Sequence, residues 1–138
     1  MSGQGPTTGS FGHFYVYAPS DKIETRDYGV TRYGMEVMRL ADVLNKHLAT
    51  RTYLVGEEYS IADIMCFPWY FCLSTYVPPH GIKIFDYLGL EKYTHLNAWV
   101  ARIEARPAVQ RGLKICQLSK GSKPWEIDTE NAEEKKSI

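Results

Sequence analysis

Apolar residues recur along much of this chain at steps of three and four positions, which is the spacing of one face of an α-helix. The longest such run predicts a helix over residues 24–49, with most charged residues off its apolar stripe. The stripe comprises Val30, Tyr33, Val37, Leu40, Ala41, Leu44 and Leu48. No segment alternates apolar and polar residues for long enough to build a sheet. The pattern therefore predicts an all-α fold, a bundle of about five or six helices.

The sharpest local signal is a helix start at Ser60. Serine is suited to the N-cap, and Asp63 can accept a hydrogen bond from the Ser60 amide three residues earlier. The following residues, up to Leu73, are apolar on all sides, which is typical of a helix buried at the centre of a bundle. Pro68 removes one backbone hydrogen bond within this helix, so we expect a kink near it. This capping box is a folding device and predicts no reaction.

Shorter elements flank these two helices. Residues 1–10 are rich in Gly, Ser and Thr and predict a loop. The aromatic segment 11–17 predicts either a short strand or the end of a helix. A further helix is predicted over residues 93–106, and Pro107 is suited to the first turn of another.

Composition narrows the classes of function. The 138 residues suit one domain, expected over 1–118, followed by a polar tail over 119–138. Sixteen basic and sixteen acidic residues cancel, which gives no electrostatic reason to bind nucleic acid or an anionic membrane. No apolar run approaches the ~20 residues that a membrane-spanning helix needs. Three cysteines, an odd count, and the lack of a signal-peptide pattern indicate a reducing compartment, so we expect a cytoplasmic protein.

The sequence contains no recognisable catalytic or metal-binding motif. Four histidines are scattered, the cysteines lack metal-ligand spacing, and nucleotide-binding and hydrolase motifs are absent. Cys66 and Cys72 lie in the apolar helix, where a buried and unreactive thiol is the expected state. Nothing marks Cys116 as activated. We therefore predict no catalytic residue and no metal in this chain.

A basic strip on the long helix has two interpretations. Arg32, Glu36 and Arg39 follow one another at steps of four and three, beside Tyr33. As a solvated face, the strip would hold a Glu–Arg ion pair and no ligand. As a site, a guanidinium at a pocket mouth could hold a substrate carboxylate through two parallel hydrogen bonds. The pattern alone favours neither.

Aromatic residues cluster ahead of that helix and also have two interpretations. Ten Tyr, five Phe and three Trp are more than a helical core needs. The cluster could belong to the core or to a subunit interface, or it could form the wall of a pocket for an aromatic or electrophilic substrate. The candidate pocket residues are Phe11, His13, Phe14, Tyr17 and Tyr33.

Taken together, these motifs resemble a known family. The segment 59–64, Tyr-Ser-Ile-Ala-Asp-Ile, followed by Pro68-Trp69, resembles the capping-box helix in the C-terminal domain of cytosolic glutathione transferases. Further motifs, in family order over about residues 2–116, resemble the nu-class and nitrogen-regulator-like branch, which includes disulfide-bond oxidoreductases. They are Gly3-Gln4-Gly5-Pro6, Phe11-Gly12-His13-Phe14, Tyr17-Ala18-Pro19, Arg32-Tyr33 and Arg106-Pro107-Ala108-Val109.

The resemblance implies a helical bundle that follows a thioredoxin-like domain and forms a homodimer. It implies glutathione as co-substrate, used to conjugate a small electrophile or to reduce a peroxide or a disulfide. It also implies that Arg32 contacts glutathione, because it matches an arginine early in the long helix of that branch. Ser2 falls nearest to a second family contact but differs from it in residue type.

The sequence lacks the thioredoxin-like domain of that family, where most glutathione contacts and the thiol-activating group lie. We therefore expect this chain alone to be inactive. The alternative is a stand-alone transferase-like module that mediates protein interactions without catalysis.

Overall fold

The computed structural model describes residues 3–19, 21, 23–78 and 82–114. The predictions for Ser2, Cys116 and the polar tail concern residues outside this part of the chain. Within the described residues none of the helices is long and apolar enough to cross a membrane.

The described residues are mostly helical and contain no strand, which confirms the all-α prediction. The helices are α1 (Gln4–Gly12), α2 (Ile23–Leu48), α3 (Ile61–Thr75), α4 (Ile84–Tyr87), α5 (Thr94–Glu104) and α6 (Pro107–Lys114). A π-helical turn over His13–Tyr17 continues α1, and a 3₁₀ turn over Leu90–Lys92 precedes α5.

The chain divides into two compact units, one ending at Ile103 and one beginning at Glu104. The second unit contains α6, and there the side chain of Gln110 donates a hydrogen bond to the Glu104 carbonyl at 2.8 Å. The first unit contains the core, to which α1, α2, α3 and α5 all contribute buried side chains.

Residues 4–10 of the glycine-rich segment are helical, so the loop predicted over residues 1–10 is wrong for them. α1 packs closely on α3: a Cβ added at Gly5 would lie 3.0 Å from the ring of Trp69. Gln4 is buried and donates from Nε2 to the Cys66 carbonyl at 3.2 Å. Because these contacts offset the low helix propensity of glycine, composition alone misassigned the segment.

α3 is buried on one face only. Its buried apolar side chains are Phe67, Tyr70 and Leu73. The opposite face is equally apolar but open to solvent, with Ile61 74%, Ile64 53% and Met65 42% exposed. The prediction that this helix is buried on all sides is therefore wrong, and the first unit carries an exposed apolar surface along α3.

Asp63 is the only fully buried carboxylate among the described residues and ties α3 to its neighbours. Ser60 is the N-cap and forms a capping box with Asp63, whose Oδ2 accepts the Ser60 N–H at 2.9 Å. Oδ1 accepts the Leu54 N–H at 3.0 Å and the Trp99 indole Nε1–H at 2.8 Å. Burial by itself would raise the pKa of Asp63, but the hydrogen bonds from Leu54, Trp99 and Ser60 outweigh it and lower the pKa.

Side chains and carbonyls of α2 hold the start of α5. The Asn45 side-chain oxygen accepts hydrogen bonds from the His95 and Leu96 N–H groups at 2.9 and 3.1 Å. These N–H groups belong to the first turn of α5 and have no partner within that helix. The Tyr93 hydroxyl donates to the Met38 carbonyl at 3.1 Å. α2, which carries the basic strip, is thus fixed against the core along its second half.

Candidate functional site

The aromatic segment ends α1 in a single π-helical turn over His13–Tyr17. The Ala18 N–H donates to the His13 carbonyl at 2.8 Å, five residues back. Two further carbonyls of the turn accept hydrogen bonds from the guanidinium of Arg26 on α2. Of the two alternatives given by the sequence, a strand or a helix end, the helix end is present.

Part of the aromatic cluster faces the core. Phe11 is completely buried and stacks on Tyr15 with ring centroids 5.2 Å apart. Tyr15 contacts Tyr87 at 4.6 Å, and its hydroxyl donates to the Ile82 carbonyl at 3.4 Å. Burial and the neighbouring Tyr87 raise the pKa of Tyr15. For Phe11, complete burial favours the core interpretation over the predicted place in a pocket.

The other part of the cluster reaches solvent, and we call it the outer wall: His13, Phe14 and Tyr33. The rings of Phe14 and Tyr33 stack with centroids 5.7 Å apart and an interplanar angle of 13°. His13 is exposed and meets Phe14 edge-on at 5.3 Å. Gly29 lies under the Phe14 ring, where a Cβ would approach it to 2.3 Å. The structure thus brings three of the predicted pocket residues together.

Tyr17, the remaining candidate in this cluster, makes a different contact. It is 69% exposed and lies beside Tyr76, just after α3. Partial burial and a hydrogen bond with Tyr17 raise the pKa of Tyr76. The Tyr76 phenol is therefore protonated at neutral pH and can donate a hydrogen bond.

The basic strip on α2 separates into a paired and an unpaired arginine. Arg39 donates from Nε and Nη2 to the two carboxylate oxygens of Glu36, at 2.9 and 2.7 Å. This hydrogen bonding, with a smaller contribution from the charge of Arg32, lowers the pKa of Glu36. Arg32 is exposed, and its guanidinium has no hydrogen-bond or ion-pair partner within the part of the chain that the structure describes. Arg32 is therefore the arginine of the strip that is available to an anion.

The thiols show no sign of activation. Cys66 is half-buried, but Cys72 is exposed, so the predicted burial of Cys72 is wrong. Burial is the main cause that raises the pKa of both thiols, which disfavours a nucleophilic thiolate. In the described ranges no group of three or more His, Cys, Asp or Glu side chains is arranged to hold a metal ion.

Sequence reasoning missed two residues that hold the outer wall in place, Arg26 and Gly29. Arg26 was only one of several charged residues off the apolar stripe, and nothing in its spacing indicates a backbone contact. Gly29 did carry a signal, since glycine inside a helix costs about 1 kcal/mol and is tolerated where another group approaches closely. Gly34, five residues later, likewise leaves room for a ring, here the buried Phe11, which lies 3.3 Å from its Cβ position.

Most of this chain is similar to a known protein family and to proteins that belong to it. Residues 21–107 match the family described as glutathione S-transferase, C-terminal domain. The disulfide-bond oxidoreductase YghU of Escherichia coli is 41% identical over 104 residues, which are 75% of this chain and 34% of that protein. The disulfide-bond oxidoreductase YfcG of the same organism is 36% identical over 118 residues, which are 86% of this chain and 48% of that protein. The chain therefore spans less than half the length of these relatives.

Solved structures of glutathione transferases also match this chain. A glutathione transferase from Burkholderia graminis, with two glutathione molecules bound per subunit, matches with a TM-score of 0.76 and 32% identity over 86% of this chain and 47% of that one. The glutathione transferase YghU from Streptococcus pneumoniae, complexed with glutathione, matches with a TM-score of 0.71 and 37% identity over 83% of this chain and 42% of that one.

Proposed function

The chain belongs to the glutathione S-transferase C-terminal domain family, and on that premise we propose that it is the helical half of a glutathione-dependent enzyme. Joined to a thioredoxin-like domain, it would support conjugation of glutathione to a small electrophile, or reduction of a disulfide or peroxide. The observation that carries the proposal is the likeness, at 32% and 37% identity, to structures that hold glutathione. The same observation favours this function over a stand-alone interaction module.

In the proposed enzyme the co-substrate is glutathione and no metal takes part. Arg32 would bind a glutathione carboxylate, since its guanidinium is exposed while that of Arg39 is engaged by Glu36. A planar guanidinium can hold a carboxylate through two parallel N–H···O bonds, and a charge-assisted contact of this kind is worth about 1.5–3 kcal/mol. Ser2, which lies outside the described residues, would be a second glutathione contact.

The outer wall would face the second substrate. The stacked rings of Phe14 and Tyr33, with the edge of His13, offer a flat surface that suits an aromatic or otherwise planar electrophile. Tyr17 would add a hydroxyl donor near that surface. Phe11, buried behind the wall, would support it without reaching the substrate.

The proposal also includes the setting in which the enzyme works. We propose a homodimer in the cytoplasm, without nucleic-acid or membrane partners. The odd number of cysteines supports a reducing compartment, and the net charge of zero supports the lack of nucleic-acid and membrane partners. The homodimer rests on the family resemblance.

Isothermal titration with glutathione tests the proposal. The protein is a chimaera in which this chain replaces the matching region of the E. coli YghU relative, compared with Arg32→Ala and the matched control Arg39→Ala. Loss of one charge-assisted contact should weaken affinity about 10- to 100-fold in Arg32→Ala and little in Arg39→Ala. The 138-residue chain alone should conjugate glutathione to 1-chloro-2,4-dinitrobenzene poorly or not at all. Equal affinity of the parent and Arg32→Ala, with the fold intact, would contradict the role given to Arg32.

A further inference from the structure

The π-helical turn over His13–Tyr17 has an unusual hydrogen-bonding requirement. In a π-helix each carbonyl accepts from the N–H five residues later, as the His13 carbonyl does from Ala18 at 2.8 Å. The next carbonyl, that of Phe14, would need the N–H of residue 19. That residue is Pro19, which has no N–H. The sequence therefore leaves the Phe14 carbonyl without a donor from its own turn.

Arg26 supplies the missing donor from another helix. Its Nε–H donates to the Phe14 carbonyl at 3.2 Å, and its Nη2–H donates to the Tyr15 carbonyl at 3.2 Å. A cation at the carbonyl end of a helix is also favoured by the helix dipole. The two bonds diverge from one planar group, so they fix both the position and the direction of this backbone relative to α2.

The direction of this backbone decides which rings face outward. Tyr15 turns into the core beside Phe11, while the adjacent Phe14 turns toward α2 and lies over Gly29 against Tyr33. Arg26 thus holds the main chain of the outer wall, and Gly29 leaves room for its central ring.

We propose that Arg26 is a positioning residue for the outer wall: it takes the place of the N–H that Pro19 lacks and so sets the orientation of Phe14 toward the second substrate. The substrate part of this inference rests on the proposed function. Arg26 itself does not contact the substrate in this scheme, and its role is distinct from that of Arg32, which binds the co-substrate.

The structural part can be tested on the 138-residue chain by NMR. The Hα protons of Gly29 lie under the Phe14 ring, so ring currents should displace their chemical shifts. Arg26→Met should move these shifts toward their unperturbed values, whereas the control Arg32→Met should leave them unchanged. Unchanged Gly29 shifts in a folded Arg26→Met chain would overturn the proposal.

A second variant addresses the mechanism and guards against a protein that fails to fold. Ala18, just before Pro19, is extended with ψ 138°, which is the conformation that a following proline favours and which ends the turn. Pro19→Ala removes this restriction and supplies an N–H, so the turn can continue by one residue and donate to the Phe14 carbonyl. Pro19→Ala/Arg26→Met should therefore recover the Gly29 shifts, or the fold, that Arg26→Met loses. Failure of Pro19→Ala to restore either one would show that Arg26 acts by another route and would overturn the inference.

The functional part uses the chimaera. Arg26→Met should raise KM for 1-chloro-2,4-dinitrobenzene several-fold while KM for glutathione stays unchanged, and Pro19→Ala should reverse the effect. A rise in KM for glutathione alone would overturn the positioning role. A chimaera that binds no glutathione, while the Gly29 shifts still respond to Arg26, would refute the proposed function and leave the structural assignment standing.

Discussion

At Asp63 one carboxylate accepts hydrogen bonds from three residues in three parts of the chain: the N-cap Ser60, the preceding loop at Leu54, and Trp99 on α5. A buried ionised carboxylate is costly unless its oxygens are hydrogen-bonded, and removing it leaves buried donors without partners. The start of α3, the loop before it and α5 therefore depend on a single ionised group.

We expect acid to weaken the fold through Asp63. The pKa of Asp63 is lower in the folded chain than the ordinary value of 3.8. The ionised carboxylate therefore stabilises the fold fully above pH 3.8, and this stabilisation is lost as the pH falls below that value and through the pKa of the folded state. In urea unfolding between pH 7 and pH 3, Asp63→Asn should cost about 1.5–3 kcal/mol at pH 7 and should lose less stability than the parent as the pH falls.

Asp42→Asn is the matched control for that experiment. Asp42 is only partly buried and pairs with the exposed Lys46 at 2.7 Å, so its removal should change the unfolding free energy little. If Asp63→Asn retained the same pH dependence as the parent, the ionised state of Asp63 would not be what stabilises the fold.

The sequence could predict a contact between two residues only where they lie close together in the chain. The Ser60–Asp63 pair is local, and the spacing of three residues is enough to indicate it. The indole of Trp99 lies 36 residues away from Asp63 in sequence, and no pattern in one sequence indicates that pairing. Arg32 was given a role only by family resemblance, and the structure adds that Arg39 is already paired with Glu36.

At the scale of elements, tertiary packing explains where helix propensity and residue pattern gave a wrong prediction. The helix predicted over 24–49 is present as Ile23–Leu48, because its apolar stripe is long and regular. α1 escaped prediction because Gly5 packs against the ring of Trp69 on α3 and Gln4 is bonded to the Cys66 carbonyl, contacts that composition does not reveal. The exposure of one side of α3 could not be predicted either, since an apolar residue pattern is the same whether or not a neighbour covers it.

Gly29→Ala should destabilise the chain, although alanine favours helices. Propensity alone would stabilise α2 by about 1 kcal/mol, but the new Cβ would overlap the Phe14 ring at 2.3 Å and displace it. We expect a net loss of about 1–3 kcal/mol in chemical unfolding, as in other overpacked sites. Gly9→Ala on α1 is the control: no heavy atom lies within 4 Å of its Cβ position, so it should stabilise. Equal stability of the two variants would contradict the close packing of Phe14 on Gly29.

For the molecule as a whole, sequence and structure agree on an all-α fold, while the complete site that we propose depends on more than this chain. Arg32 and the outer wall are both on α2 or on the turn packed against it, so the helical half alone fixes their relative positions. The group that activates the thiol of glutathione is assigned by resemblance to the thioredoxin-like domain, and no residue described here takes that role.

The exposed apolar face of α3 has a thermodynamic consequence for the chain on its own. Apolar surface that is hydrated in the folded state adds nothing to the heat capacity of unfolding, which averages about 12–15 cal/mol/K per residue in globular proteins. Calorimetry of the 138-residue chain should therefore give a value below that range and a correspondingly flatter dependence of stability on temperature. Ile61→Ser with Ile64→Ser should leave both quantities nearly unchanged, whereas Ile103→Ala, at a site without solvent exposure, should cost about 2–5 kcal/mol. A heat capacity of unfolding at or above the average, or one lowered by the α3 substitutions, would mean that this face is covered in solution.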